Sequence, residues 1–158
     1  MKSTLIKDYY QKTQLYRRRN DSKGLSRFLE EQKEVLGLIP RYATLIQGES
    51  AYYQGKYAAA LKHYLAIPDV EDQRFFCYRA TAFLCFEQKN YSKAFSYAKK
   101  TLKLEPKEYD ILQLLYRLLD VIHTCEHRPE YIDDHDSDSE LNYVPVAEKE
   151  LEELTNIF

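Results

Sequence analysis

The side chains most able to bind a metal or to carry out catalysis lie between residues 123 and 135. Imidazole, thiol and carboxylate groups are the usual ligands of zinc. They occur here as His123, Cys125, His127, Asp133, Asp134 and His135. The His-x-Cys-x-His spacing is not that of a usual zinc site, and the aspartates belong to a stretch that is acidic throughout. We therefore expect neither a metal nor a cofactor.

The cysteines give no catalytic pattern either. Cys77, Cys85 and Cys125 lie beside apolar runs, where a cysteine usually acts as a small buried hydrophobe. The sequence has no glycine-rich phosphate loop and no Ser-His-Asp order, so we expect no enzyme activity.

An odd cysteine count without disulfide spacing suits a reducing compartment, and the first residues lack the apolar stretch of a secretory signal. A cytoplasmic location is predicted.

Overall composition limits the class of protein. The chain has 158 residues, enough for one domain with a sizeable core, and a net charge of −2 that argues against a strongly basic nucleic-acid-binding protein. No run of 18 apolar residues occurs, so no membrane span is expected. With only four glycines and no alternating strand pattern, the sequence predicts an all-α fold.

Apolar periodicity and turn residues place the helices. They are predicted over residues 3–19, 26–38, 41–54, 57–66, 72–87, 91–104 and 107–124. Asn20–Gly24 is predicted to separate the first two helices, and Pro40 to close the second. Pro145 suits the first position of a final acidic helix. An apolar stripe on that helix comprises Val144, Ala147, Leu151, Leu154 and Phe158.

Charge is distributed unevenly along the chain. Residues 126–140 contain seven acidic residues and one arginine, a net −6 that predicts a solvated linker. The first 23 residues carry a net +5, and most such short runs are solvated faces rather than nucleic-acid sites. One hypothesis is that the two segments attract each other, within one chain or between two. The second arrangement would make the protein a homo-oligomer.

A segment of the chain repeats itself at a fixed offset. Residues 48–60 recur as residues 82–94, so that Tyr57 corresponds to Tyr91 and Ala60 to Ala94. A fixed period of this size, between about 20 and 50 positions, indicates one supersecondary unit that is copied and stacked. Stacked helix pairs bury their apolar faces on each other and expose a long concave surface. The period therefore predicts a short α-solenoid that binds a partner.

The two copies resemble the tetratricopeptide repeat family. The first has Gly48, Gly55, Tyr57, Ala60 and Tyr64 at the family's positions, and the second has Ala82, Tyr91, Ala94, Leu102, Leu104 and Pro106. The resemblance implies that the small residues let the two helices of a pair approach closely and that Tyr57 and Tyr91 fill the space between pairs. It also implies that the α-solenoid is right-handed, and it implies a division of the chain. The parts are an N-terminal helical arm or degenerate repeat (1–40), repeats (41–124), an acidic linker (125–142) and a C-terminal amphipathic helix (143–158).

The family's concave positions identify candidate binding residues, which we call the predicted groove set. Carried onto this chain, their aromatic and arginine members are Tyr42, Tyr52, Tyr53, Phe76, Arg79, Phe83, Phe86 and Arg117. Such an aromatic surface would anchor a protein or peptide segment, and the two arginines would pair with its carboxylates. The alternative is that several of these rings are core between helix pairs. The resemblance thus implies a noncatalytic adaptor or chaperone.

Other functions are weighed beside this one. Leu45 and Glu49 occupy the clamp positions of chaperone-tail-binding repeats, which argues against that use of the fold. The segments Tyr52–Tyr57 and Asp72–Phe76 resemble a repeat junction of class II chaperones of type III secretion, which shield translocators. A further alternative is a structural subunit of a multiprotein assembly that uses its convex face. The final helix either caps the last repeat or occupies the groove.

Overall fold

The computed structural model describes residues 4–67, 70–127 and 146–157, and its regular elements there are all α-helices. The all-α prediction is confirmed. The helices are α1 (Thr4–Arg18), α2 (Ser22–Val35), α3 (Pro40–Tyr53), α4 (Tyr57–Leu65), α5 (Val70–Glu87), α6 (Tyr91–Leu104), α7 (Tyr109–His127) and α8 (Glu148–Ile157). Among these described helices, none is long and apolar enough to cross a membrane.

The chain forms two compact units, Met1–Ala80 and Thr81–Phe158, and the boundary between them falls inside α5. Each unit has fully buried apolar side chains of its own. In the first unit these include Ile6, Tyr64 and Phe76, and in the second Phe95, Ile111, Leu114, Leu115 and Leu118. Burial of such residues is the main stabilising contribution within each unit.

The same turn follows three of the helices. Asn20, Gly55 and Lys89 adopt left-handed backbone conformations, with φ values of 54°, 78° and 61°. In each turn this residue donates its N–H to the carbonyl three residues back, and the next residue donates to the carbonyl five residues back. This pattern is the Schellman motif, which satisfies the last carbonyls of a helix. The turns at Gly55 and Lys89 occupy corresponding positions of the two copies, and the turn at Asn20 repeats their geometry in the predicted arm.

An aromatic contact accompanies two of these turns. Tyr52 at the end of α3 meets Tyr57 at the start of α4 with ring centroids 5.6 Å apart and an interplanar angle of 61°. Phe86 and Tyr91 repeat this geometry at the corresponding positions of the second copy, at 5.5 Å and 63°. Each contact joins the two helices of its own pair, and its edge-to-face arrangement of rings is favourable.

Close approach of α3 and α4 depends on Gly48. A Cβ atom at residue 48 would lie 2.5 Å from Cε1 of Tyr64, closer than real Cβ contacts allow. At the corresponding positions of the second copy, the chain has Ala82 and Ala98, both fully buried. One copy therefore combines no side chain with a large ring, and the other combines two methyl groups.

Both predicted ends of the second helix differ from the observed ones by three residues or more. The second helix begins at Ser22 instead of residue 26, because the Asp21 side chain caps it by accepting a hydrogen bond of 2.8 Å from the N–H of Gly24. Pro40 does not close this helix, which ends at Val35. It begins α3 instead, at a position where the missing N–H of proline costs no hydrogen bond.

Several predictions concern residues that the structure does not describe. The metal candidates Asp133, Asp134 and His135 and most of the acidic linker over residues 125–142 lie outside the described ranges. The described part of α7 runs to His127, past the predicted start of that linker at residue 125. The linker's boundaries and its attraction to the basic first residues stay predictions.

Exchanging the residues at the left-handed positions of two turns should change stability in opposite directions. Gly55→Lys places a side chain at a φ of 78° and should lower the free energy of unfolding by about 1 kcal/mol. Lys89→Gly relieves the same strain and should raise it by somewhat less, since glycine loses more chain entropy on folding. Urea-unfolding midpoints measured by circular dichroism test both substitutions. A destabilised Lys89→Gly variant would contradict the expectation.

Candidate functional site

A buried carboxylate, Glu49 of α3, lies at the centre of a polar cluster in the first unit. Its Oε1 accepts a hydrogen bond of 3.0 Å from the hydroxyl of Tyr9 on α1. Its Oε2 accepts one of 2.5 Å from the hydroxyl of Tyr64 on α4 and another from Nη2 of Arg79 on α5. The side chains of Glu49 and Arg79 are both fully buried, so their ion pair is shielded from water.

Aromatic rings surround the guanidinium of Arg79. Its Cζ lies 3.9 Å from the ring centroid of Tyr52, and 5.3 Å and 5.5 Å from those of Phe75 and Phe76. The face of an aromatic ring is negative, so each of these contacts is favourable for a buried cation. The rings thus add to the attraction between Arg79 and the carboxylate of Glu49.

Electrostatics fix the protonation states in this cluster. Burial raises the pKa of Tyr9 and of Tyr64 well above the ordinary tyrosine value, and the adjacent Glu49 carboxylate raises both further. Burial by itself would lower the pKa of Arg79, but Glu49 and the neighbouring tyrosines hold it well above its ordinary value. Both tyrosines therefore remain neutral hydroxyl donors, and Arg79 remains charged.

The cluster joins side chains of four helices in the first unit. Its carboxylate receives three donors, as a buried carboxylate requires. We interpret it as a structural joint, because Tyr9, Glu49, Tyr64 and Arg79 are each at most 2% exposed and present no surface to a substrate. In this conformation Arg79 pairs with Glu49, and its pairing with a carboxylate of a partner stays a prediction.

The predicted groove set divides by exposure. Tyr42, Tyr52, Phe76, Arg79 and Phe83 are buried, Tyr53 and Phe86 are half-buried, and Arg117 is exposed. In the first unit the structure brings Tyr52, Tyr53 and Phe76 around Arg79. The core interpretation weighed in the sequence therefore describes the buried five in this conformation, and a partner-binding role of the set stays a prediction.

The chain matches no protein-family model, no curated protein and no solved structure. The resemblance to tetratricopeptide repeats therefore depends on the residues of the two copies. Three features recur locally at corresponding positions. They are the turns at Gly55 and Lys89, the aromatic pairs beside them, and the helix ends at Tyr53 and Glu87.

Two residues of the predicted groove set meet at the surface of the second unit. The guanidinium carbon of Arg117 on α7 lies 4.6 Å from the ring centroid of Phe86 on α5. The ring of Phe86 also packs edge-on against Tyr91, which holds it in place. A positioned ring with an exposed guanidinium over it suits a carboxylate-bearing or aromatic side chain of a partner. We call Phe86 and Arg117 the α5–α7 pair.

A cavity of about 340 Å³ opens beside α1 and α2 in the first unit. Its lining residues are Lys12, Leu15, Tyr16, Arg19, Phe28, Glu31 and Gln32. The ammonium of Lys12 lies 6.0 Å from the ring centroid of Phe28, and Tyr16 packs on the same ring at 5.6 Å. Part of the basic first segment thus borders an aromatic surface. Among the described residues, no group of three metal-ligating side chains occurs.

The sequence did not indicate the role of Tyr9 or the pairing of Glu49 with Arg79. The resemblance implies a clamp position for Glu49 and a concave position for Arg79, and neither position indicates that the two side chains pair. A usable signal was present, because both charges fall in otherwise aromatic and apolar helix faces. Tyr9 gave no such signal, since its helix matched the repeat poorly and its partner lies 40 residues away.

Proposed function

We propose that this chain is a noncatalytic interaction module, a short α-solenoid of tetratricopeptide-like helix pairs that binds a segment of a partner protein. The observation that carries the proposal is the recurrence of one helix–turn–helix unit. Left-handed residues at positions 20, 55 and 89 close three helices with the same hydrogen bonds and at nearly equal spacings. Repeated helix pairs of this length are an architecture that proteins use to present extended binding surfaces.

The α5–α7 pair is the part of the predicted groove set that we assign to partner contact. Arg117 is exposed and Phe86 is half-buried, so both present surface to a partner, whereas the buried members stabilise the units. Aromatic and arginine residues contribute disproportionately to binding at interfaces. A partner segment with carboxylate or aromatic side chains fits this pair. Such a segment suits an adaptor and a chaperone alike.

An affinity-capture comparison tests this function. Wild type and a Phe86→Leu/Arg117→Glu variant are each used to capture proteins from cells that express the chain. Quantitative mass spectrometry then compares the amounts of each captured protein. Loss of two such interface residues should weaken binding of a genuine partner by about tenfold or more. Phe86→Leu keeps an apolar side chain, so folding should be retained, and circular dichroism verifies this.

The matched control is Arg27→Glu, an equal charge reversal at an exposed position of α2. A partner that is lost with the double variant and kept with the control supports the proposal. Equal capture by all three proteins would move the binding site away from the α5–α7 pair. Alanine variants of Tyr52 or Phe83 would not serve, because both side chains are buried and their loss would destabilise the fold.

A further inference from the structure

The last described helix packs on the second unit. α8 contacts both α6 and α7, and its Leu154 is fully buried. Ser92 Oγ on α6 donates a hydrogen bond of 2.9 Å to Glu150 Oε1, and Lys99 Nζ donates one of 2.8 Å to Glu153 Oε2. These two polar contacts involve residues outside the predicted groove set. We call the surface of α6 and α7 that holds Leu154 the α8 seat.

Charge on α6 and α8 is complementary. The sequence of α6 contains four lysines and no acidic residue, whereas α8 contains four glutamates and one lysine. The hydrogen bond and charge of Lys99 lower the pKa of Glu153 below its ordinary value. The charges of α6 and α8 are therefore opposite where the two helices meet, and such complementarity favours the correct partner more than it adds affinity.

The contacts of α8 with α6 and α7 are weak enough for another helix to replace α8. A helix of ten residues is marginal in water on its own, so α8 depends on its contacts with α6 and α7. Leu154 is its buried member, and the side chains of Lys99 and Glu153 are 39% and 44% exposed. Exposed ion pairs are screened by water and salt and contribute little. The contacts that retain α8 can thus be replaced by equal contacts from another helix.

We propose that the α8 seat is a binding site for an acidic amphipathic helix of a partner protein, and that α8 occupies it in the free chain. α8 itself shows the chemistry required of the partner. It places a leucine in the pocket, a glutamate four residues earlier opposite Ser92 and a glutamate one residue earlier opposite Lys99. Helix-in-groove recognition places contact residues on one helix face at spacings of three and four, and Glu150 and Leu154 are four residues apart. The proposal does not depend on the α5–α7 pair.

Competition with α8 determines the expected affinity. Because α8 belongs to the same chain, it competes with a separate helix at an effective concentration that can reach the millimolar range. A partner helix must therefore bind better than α8, or bind when α8 is weakened. Weakening α8 should raise the affinity of the α8 seat for a separate acidic helix.

A labelled synthetic peptide of residues 146–158 provides the probe. Fluorescence anisotropy measures its binding to the full-length chain as wild type, as Leu154→Asp and as the milder Leu154→Ala. Both variants weaken the internal occupant, and each should bind the peptide about tenfold or more tightly than wild type does. A scrambled peptide of equal composition should bind none of the three. Circular dichroism confirms that the variants retain their helices.

Charge exchange at Lys99 makes the test specific. In the Leu154→Ala background, Lys99→Glu should weaken binding of the wild-type peptide several-fold, and a peptide with Glu153→Lys should regain it. A general loss of structure would not produce this recovery.

Unchanged peptide affinity in both Leu154 variants, or equal binding of the scrambled peptide, would overturn the proposal. A wild-type dimer that Leu154→Asp abolishes in size-exclusion chromatography would also overturn it, because the occupant would then be a second copy.

Discussion

Replacing Glu49 by leucine is expected to lower the free energy of unfolding by about 3–5 kcal/mol. The substitution leaves the guanidinium of Arg79 fully buried without its carboxylate, and a guanidinium cannot lose its proton. The hydroxyls of Tyr9 and Tyr64 lose their acceptor at the same time. Each unsatisfied buried donor costs about 1–3 kcal/mol, so the expected loss is among the largest for a single residue of this chain.

The reciprocal substitution, Arg79→Leu, should cost less. It leaves a buried carboxylate that still accepts hydrogen bonds from Tyr9 and Tyr64. A carboxylate can also take up a proton when it loses its cation, whereas a guanidinium stays charged. Leucine keeps apolar contact with the rings that surround Arg79 in wild type. Comparing the free energies of unfolding of the two variants therefore shows which charge is more costly to leave unpaired.

Combining the two substitutions should recover part of the loss. With both charges removed, the remaining cost comes from the tyrosine hydroxyls and from imperfect packing, so the double variant should be more stable than additivity predicts by about 2 kcal/mol or more. Adding Tyr9→Phe should recover a further part, since it removes one unsatisfied hydroxyl. Urea unfolding followed by circular dichroism at 222 nm gives all of these values.

The control for the leucine side chain itself is Gln47→Leu, at an exposed position of the same helix. It should change the free energy of unfolding by less than about 0.5 kcal/mol. Additive losses in the Glu49/Arg79 double variant would show that the two charges do not interact in solution. That result would contradict the joint described above.

Local features of the fold followed from the sequence. The ends of α3 and α5 and the starts of α4 and α6 lie within one residue of their predicted positions. Apolar periodicity and the turn residues near Gly55 and Asn90 act over a few residues, so the sequence displays them directly. The capping role of Asp21 is also local, but the Gly and Asx residues of this segment favour a turn and so hide the start of α2.

Burial of the charged pair did not follow from the sequence. Glu49 and Arg79 lie 30 residues apart, and each is a polar residue on a helix with apolar neighbours. Helical periodicity shows which residues share a face, but not whether that face meets solvent or another helix. Glu49 accepts a hydrogen bond from Tyr9 on α1. Because α1 carries no repeat signal, the repeat pattern does not indicate this contact. A long-range contact of this kind depends on tertiary packing, which local patterns do not encode.

The repeat itself provides the second large expected effect, at Gly48. Gly48→Ala should lower the free energy of unfolding by about 1–3 kcal/mol, because the new methyl would lie 2.5 Å from Cε1 of Tyr64. The Tyr64 side chain is fully buried and its hydroxyl donates a hydrogen bond to Glu49, so the ring cannot turn away without losing that bond. Alanine is otherwise the better helix former, and its cost here is entirely steric.

Removing the ring should reverse the sign of this effect. Tyr64→Ala alone should cost about 3–5 kcal/mol through the cavity and the lost hydrogen bond. In that background, Gly48→Ala meets no ring and should stabilise the chain by about 1 kcal/mol through helix propensity. The double variant has alanine at both positions, as residues 82 and 98 do in the other copy. Urea midpoints of the four proteins measure the coupling.

An equal loss from Gly48→Ala in both backgrounds would mean that Tyr64 does not limit the approach of α3 to α4. Ala82→Gly provides the matched control in the second unit, where it exchanges the same two residue types in the opposite direction. It should destabilise by about 1.5–2 kcal/mol, since a buried methyl and helix propensity are both lost. A sign reversal at residue 48 alone would show that each copy reaches its close helix packing with its own pair of side-chain sizes. Such compensation explains why a glycine and a tyrosine in one copy correspond to two alanines in the other.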